Sequence, residues 1–289
     1  MLYLNGNAFT GGLPVGWGSP GAWPSLQLLF LGDNQLTGPL PDAWATPGAF
    51  PALFQLSLSG NGLTGPLPSS WASVGAFPLL ADLILLGNQI QGPLPESWGA
   101  PGGFSKLSGL LLAFNPIGGS LPASWGQAGA FPSLDTLYLH DTHLSGGLPD
   151  AWGQAGAFPS LVWLSLFDTN ISGSLPAVWG TPGALPKLEK LFLSNTGLSG
   201  SVPASWAQPG ALPSLHTLDV TKTGITGQLP AEVLKALPAP VILTAQPSQG
   251  GTGDSDLQRQ RRRESRVQQA APAVQSASQL QQSSAQAPP

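Results

Sequence analysis

Tryptophan recurs every 27 residues along most of this chain of 289 residues, and this period restricts the possible folds more than any other feature. The tryptophans that share the spacing are Trp17, Trp44, Trp71, Trp98, Trp125, Trp152, Trp179 and Trp206. Nine units in phase run from Leu2 to about Ala239, and a shortened tenth begins near Val241. A fixed period of about 20 to 50 residues is typical of repeat architectures, in which each unit buries its apolar face against its neighbours.

Each unit begins with a short alternating segment and then a polar position. In the second unit, Leu29 and Leu31 flank Phe30, which is the period of a strand with one face inward. The position three residues after the second leucine is filled by Asn7, Asn34, Asn61, Asn88 and Asn115, and then by Thr142, Thr169, Thr196 and Thr223. We interpret this row as a structural ladder that satisfies backbone groups. Because Thr has fewer hydrogen-bonding groups than Asn, the ladder must be satisfied differently in the later units.

The pattern L-x-x-L-x-L-x-x-N-x-L resembles the leucine-rich repeat (LRR) family. In the second unit it is carried by Leu26, Leu29, Leu31, Asn34 and Leu36. The following T-G-P-L-P resembles the plant-type subclass, which includes receptor-like and inhibitor ectodomains, and the long unit with Trp is similar to green-algal LRR proteins. The resemblance implies an α/β-type solenoid, a right-handed LRR superhelix of about nine repeats with a parallel concave sheet and an irregular convex side.

The tryptophan row itself has two interpretations. It could be a stacking platform for sugars or bases, or it could be a spine inside the core. One large aromatic side chain at a fixed phase in every unit favours the core, because such side chains dominate core energetics. Trp44 and Phe50 are therefore expected to fill the convex half of the second unit.

Composition divides the chain into a solenoid over residues 1–244 and a tail over residues 245–289. The tail is rich in Gln, Ser, Ala and Pro and is predicted to be disordered. Its five arginines, between Arg259 and Arg266, are interpreted as a solvated charge cluster rather than a nuclear signal. Because Leu2 already occupies a strand position, we expect an uncapped N-terminal repeat, either in a fragment of a longer product or facing a partner.

Composition also excludes several kinds of function. The chain has no cysteine, and residues 1–245 carry five Lys against eleven Asp and Glu, which argues against nucleic-acid binding. His140 and His143 are a weak pair for a metal, and no nucleophile or phosphate-binding motif accompanies them. We therefore predict no enzyme activity, no metal site and no cofactor.

The predicted function lies on the concave face, at outward positions that vary between units. Adjacent strands of units five to eight place Phe114, Tyr138, His140, Asp141, Trp163, Phe167, Asp168 and Phe192 together. Contiguous aromatic side chains beside a few acids favour binding of a protein, peptide or glycan. The alternative is an incidental apolar face that neighbouring side chains partly cover.

The sequence is compatible with a location outside the cell or at its surface, and with a location inside it. No transmembrane segment and no signal peptide is visible. If a signal is missing from the chain, the resemblance implies recognition in signalling or defence at the cell surface or outside the cell. Asn170-Ile171-Ser172 would then be a possible glycosylation site. The alternative is an intracellular scaffold in the cytoplasm or cytoskeleton, for example on the axoneme of a cilium.

Overall fold

The computed structural model describes residues 1–226, in which nine repeats each contribute one short strand to a single parallel sheet. We number the repeats 1 to 9 after these strands: Leu2–Tyr3, Leu28–Phe30, Gln55–Ser57, Asp82–Ile84, Gly109–Leu111, Thr136–Tyr138, Trp163–Ser165, Lys190–Phe192 and Thr217–Asp219. Leucines at equal positions lie side by side, as Leu110 does between Leu83 and Leu137. The solenoid is thus confirmed, whereas the predicted domain boundary and the tail lie outside the described residues.

After the ladder residue of each repeat, the chain forms a second short strand on the side of the solenoid. These lateral strands are Thr10–Gly12, Gln35–Pro39, Gly62–Gly65, Gln89–Ile90, Gly92–Pro93, Ile117–Gly118, Ser145–Gly146, Asn170–Gly173, Gly197–Gly200 and Gly224–Ile225. They form two four-stranded groups, separated by the pair Gly92–Pro93 and Ile117–Gly118. Backbone bonds continue between these groups, as the Gln91 N–H donates to the Gly65 carbonyl at 2.9 Å and the Ser145 N–H to the Gly119 carbonyl at 2.8 Å.

The convex side consists of single turns of 3-10 helix, each of which contains a tryptophan of the repeated row. The helices are Val15–Gly18, Asp42–Ala45, Ser69–Ala72, Glu96–Gly99, Ala123–Gly126, Asp150–Gly153, Ala177–Gly180 and Ala204–Ala207. A proline precedes each turn, with φ between −61° and −74°, close to the value that its ring imposes. Within the described residues no helix is long and apolar enough to cross a membrane.

The tryptophan row forms a spine inside the convex half of the core. The fully buried members are Trp44, Trp71, Trp98, Trp125, Trp152 and Trp179. Trp125 and Trp152 illustrate the stacking, with ring centroids 6.4 Å apart and an interplanar angle of 3°. The indole nitrogen of Trp125 donates to the carbonyl of Pro95 in the preceding repeat at 3.0 Å, and the pattern recurs from Trp44 to Trp206. The core interpretation of this row is confirmed.

The ladder changes its bonding where Asn gives way to Thr. Asn88 Nδ2 donates to the Leu58 carbonyl at 3.1 Å, and Asn88 Oδ1 accepts the Leu63 N–H at 3.2 Å. Both partners belong to the preceding repeat. Thr142 Oγ1 instead donates to the Leu139 carbonyl of its own repeat at 2.7 Å. A hydroxyl has one hydrogen to donate, so this bond leaves none for the preceding repeat.

Candidate ligand-binding face

Outward side chains of repeats 4 to 8 gather into one apolar and aromatic group on the face of the nine-stranded sheet. This group, termed the concave cluster, consists of Ile84, Leu86, Leu111, Ala113, Phe114, Tyr138, His140, Trp163, Phe167 and Phe192. The strands hold it in place because residues before and between the inward leucines point away from the core. The structure thus brings together the aromatic side chains that the sequence placed on this face in units five to eight.

Ring contacts join the cluster across four adjacent repeats. Trp163 packs edge-on against Tyr138 at 5.4 Å and tilted against Phe192 at 5.7 Å between centroids. His140 stacks on Phe167 at 4.2 Å and meets the edge of Phe114 at 5.2 Å. Each ring is thus held in place by its neighbours, so the surface is preorganised.

The predicted site residues differ in burial: two are buried and the others are partly exposed. Tyr138 and His140 are only 3 % and 2 % exposed, whereas Phe114 is 44 % exposed. The half-buried members are Asp141, Trp163, Phe167, Asp168 and Phe192. Tyr138 and His140 therefore support the face from beneath, and the other rings present it.

His140 is a neutral imidazole at the centre of the cluster. Its Nδ1 lies 3.0 Å from Ser165 Oγ, and burial lowers its pKa to about 3. His143 is exposed, so the two histidines do not share an environment. Across residues 1–226, no group of three or more His, Cys, Asp or Glu side chains could hold a metal ion.

Phe114 occupies a backbone position that usually suits smaller residues. Its φ is 58°, in the left-handed region. The equivalent positions of the other repeats are filled by Gly6, Asp33, Gly60, Gly87, Asp141, Asp168, Asn195 and Lys222, also at positive φ. Gly, Asp and Asn tolerate this conformation, whereas for a bulky side chain it costs about 1–2 kcal/mol. An exposed aromatic ring is thus kept where the local backbone disfavours it.

Charged groups line the rim of the cluster. Lys190 Nζ lies 4.2 Å above the centre of the Trp163 ring, which is the geometry of a cation–π contact. Asp168 accepts a hydrogen bond from the Asn195 side chain. The cluster therefore combines an apolar centre with a polar rim, as protein interfaces do.

Sequence reasoning missed the aliphatic part of the cluster. Leu111 and Ala113 are 3 % and 0 % exposed although both point outward. The alternation predicts their direction, but nothing in it shows that neighbouring rings cover them. The predicted glycosylation residue Asn170 lies elsewhere, exposed at the start of the lateral strand Asn170–Gly173.

Part of the repeat region matches a known protein family in sequence. The Leucine Rich Repeat family profile matches residues 25–46 and 52–74. No curated protein matches the chain in sequence. The match and the parallel solenoid together define the fold: the described residues form a solenoid of the leucine-rich repeat type.

Its similar solved structures include plant receptors. The plant peptide hormone receptor RGFR1, solved in complex with RGF2, is 28% identical with a TM-score of 0.67, over 81% of this chain and 34% of that one. A TDR receptor is 28% identical with a TM-score of 0.68, over 83% and 38%. A leucine-rich repeat protein of Leptospira interrogans is 25% identical with a TM-score of 0.58, over 84% and 59%. The chain thus spans about a third of the length of these two receptors, and the family and these neighbours indicate no class of enzyme.

Proposed function

We propose that this chain is a non-enzymatic recognition module that binds a peptide or a protein segment through the concave cluster. The observation that carries the proposal is the set of half-exposed rings of Trp163, Phe167 and Phe192, which the buried Tyr138 and His140 hold in place. Buried aromatic anchors contribute most of the binding energy in protein interfaces. The peptide hormone receptor RGFR1, a structural neighbour, supports a peptide as the ligand.

Phe114 adds a second argument because it combines a positive φ with exposure, whereas Phe104, Phe131 and Phe158, also at positive φ, are buried in the core. Strained residues cluster at ligand-binding sites, where the rest of the structure maintains them. Phe114 contacts His140 and is at the same time the most exposed ring of the cluster. A residue with only a packing role would gain nothing from this combination of strain and exposure.

The proposal is tested by selecting random peptides of about twelve residues on the full chain and measuring their affinities by calorimetry. Trp163→Ala removes the central ring and should weaken the selected peptides at least tenfold. Val74→Ala is the control, because Val74 is apolar and 75% exposed but belongs to repeat 3 outside the cluster. It should leave the affinities unchanged.

Two outcomes would overturn the proposal. Selected peptides that bind Trp163→Ala as tightly as the parent chain would place recognition elsewhere. A selection that yields no peptide, while oligosaccharides bind and protect Trp163 fluorescence from quenching, would make the ligand a glycan. Thermal unfolding of both variants must be measured alongside, so that loss of binding is separated from loss of folding.

A further inference from the structure

Gly109 interrupts a row of side chains on the concave face. The residue that precedes the first inward leucine is Leu28, Gln55, Asp82, Thr136, Trp163, Lys190 or Thr217 in the other repeats from 2 to 9. A Cβ atom on Gly109 would lie 2.6 Å from Asp82 Oδ1 and 3.3 Å from Leu111 Cδ1. The Asp82 carboxylate therefore leans over Gly109, in a space that we term the Gly109 notch.

The Asp82 side chain is largely buried in the notch, although its carboxylate oxygens still reach solvent. Its residue is 8 % exposed, and no donor among residues 1–226 hydrogen-bonds its carboxylate. Within the same range, the ion pair found joins Glu189 and His216, far along the chain from Asp82. A carboxylate that is largely buried without a hydrogen-bond donor is costly, and a cationic group from outside the chain would offset that cost.

A second carboxylate, that of Asp135, is fixed beside Ser108, the residue that precedes Gly109. Ser108 Oγ donates to Asp135 Oδ2 at 2.7 Å, and Thr136 Oγ1 donates to Asp135 Oδ1 at 2.7 Å. Burial first, and the charge of Asp135 second, raise the pKa of Asp82 to about 6. The same two causes raise the pKa of Tyr138, which places Asp135 near the concave cluster as well.

We infer that the Gly109 notch is a cation subsite in which Asp82 and Asp135 hold the ammonium or guanidinium group of a basic residue in the bound peptide. The inference rests on the proposed function and specifies its ligand as a peptide with a basic residue beside an apolar one. Register places the notch next to the cluster, because Gly109 pairs with Thr136 and Leu111 pairs with Tyr138. The described residues carry ten acidic side chains against four lysines, which favours a cationic ligand.

The composition of the notch favours an organic cation over a metal. Its charged ligands are the two carboxylates, and no larger group of metal-binding side chains occurs in the described part of the chain. Asp135 also has an oxygen bonded to each of two hydroxyl groups, which fixes the direction of its remaining lone pairs. Ammonium and guanidinium groups form charge-assisted hydrogen bonds with such fixed carboxylates.

Cation binding is expected to depend on pH. On the adjacent strands Asp82 pairs with the neutral Gln55 and with Gly109, and the charge that acts on it from beyond Gly109 is that of Asp135 at the start of repeat 6. Lys106, on the loop before Gly109, is exposed. Because the pKa of Asp82 is raised to about 6, its carboxylate is charged at pH 7.5 and largely protonated at pH 5. Affinity for a basic peptide should fall between these two values.

The test is an NMR titration of the ¹⁵N-labelled full chain with two peptides that differ in one group. Acetyl-Lys-Phe-amide carries the ammonium, and acetyl-norleucine-Phe-amide replaces it by a methyl group on a similar stem. The Gly109 amide reports on the notch, and the Trp163 indole N–H reports on the cluster. At pH 7.5 the lysine peptide should bind at least tenfold more tightly, and lowering the pH to 5 should abolish the difference.

Two variants identify the carboxylate. Asp82→Asn should remove the advantage of the lysine peptide, whereas Asp33→Asn, at the exposed rim of the same sheet in repeat 2, should preserve it. If the norleucine peptide shifts Trp163 and lysine adds nothing, the notch inference is wrong and the proposed function stands. If the lysine advantage survives in Asp82→Asn, or calcium chloride alone shifts Gly109 at micromolar concentration, the assignment is likewise wrong. If neither peptide shifts Gly109 or Trp163, both proposals fail.

Discussion

Phe114 shows at the scale of one residue how a binding surface can oppose backbone preference. In Phe114→Gly, relief of the positive φ gains about 1–2 kcal/mol and offsets much of the lost ring packing. The free energy of unfolding should therefore change by less than about 1 kcal/mol. Urea denaturation measures this change, and calorimetry with a selected peptide should show weaker binding.

Phe167→Gly is the matched control for Phe114. Phe167 stacks on His140 and is absent from the residues at positive φ. Its replacement loses ring packing without relieving strain, and should cost about 2–4 kcal/mol. Equal losses of stability in the two glycine variants would show that Phe114 is not strained in solution.

Asp82 is expected to reduce stability at neutral pH. Its folded pKa of about 6 exceeds the ordinary value of 3.8, so the folded state binds a proton more tightly than the unfolded state does. Stability therefore falls as the pH rises from about 4 to 6 and stays low above that range. Asp82→Asn removes the charge and should raise the free energy of unfolding at pH 7.5 by up to about 3 kcal/mol.

At pH 4 the same substitution should have little effect on stability, because the folded state then holds Asp82 mostly protonated. Urea denaturation at the two pH values measures the difference. A variant that is less stable than the parent at pH 7.5 would mean that Asp82 has a stabilising partner. Higher stability together with weaker binding of basic peptides would identify a group that is retained for binding.

At the scale of the repeat element, the ladder residue couples one repeat to the one before it. Asn88→Thr should lose the bonds to the Leu58 carbonyl and the Leu63 N–H while keeping a bond inside its own repeat. Two buried hydrogen bonds contribute about 1–3 kcal/mol together, and the unfolding free energy should fall by that amount. Thr169→Ser retains a hydroxyl at a Thr rung and serves as the control, with a smaller loss.

The 27-residue period of the sequence predicted the strands and the buried tryptophans, but not the other elements of each repeat. Leu29 and Leu31 indicate a strand, and the invariant phase of Trp125 indicates burial, because each repeat can bury such residues only against its neighbours. The 3-10 turn around Trp125 was not predicted, since the four residues Ala123–Gly126 are too few to show a helical period. The lateral strands were also not predicted, because they depend on pairing between repeats.

The candidate site could be predicted only in outline. Alternation places Tyr138 and Trp163 on the same face, but their exposure depends on how large rings on adjacent strands cover one another. Asp82 and Gly109 stand in the outward row of the sequence, yet nothing in their spacing indicates that one leans over the other. Contacts between repeats, rather than patterns within one repeat, determine these features.

At the scale of the whole molecule, coupling between repeats decreases along the chain. From repeat 2 to repeat 5 an Asn side chain bonds to the preceding repeat, whereas from repeat 6 to repeat 9 the Thr hydroxyl bonds within its own. Lateral backbone bonds continue across this point, as the Ser145 N–H donates to the Gly119 carbonyl at 2.8 Å, so the change lies in the ladder side chain. In repeat proteins, stability is approximately the sum of repeat terms and interface terms, so weaker interfaces open more often.

Hydrogen exchange measures this gradient at matched backbone bonds. The Leu58 N–H in repeat 3 bonds to the Ile84 carbonyl at 2.9 Å, and the Leu166 N–H in repeat 7 bonds to the Phe192 carbonyl at 2.9 Å. Because the two backbone bonds are alike, we expect the Leu58 amide to exchange more slowly than the Leu166 amide, and we attribute the difference to the Asn ladder. Asn88→Thr should bring its exchange rate toward that of Leu166, about tenfold faster for each 1.4 kcal/mol lost. Slower exchange at Leu166 in the parent chain would contradict the gradient and place the stronger interfaces in the Thr repeats.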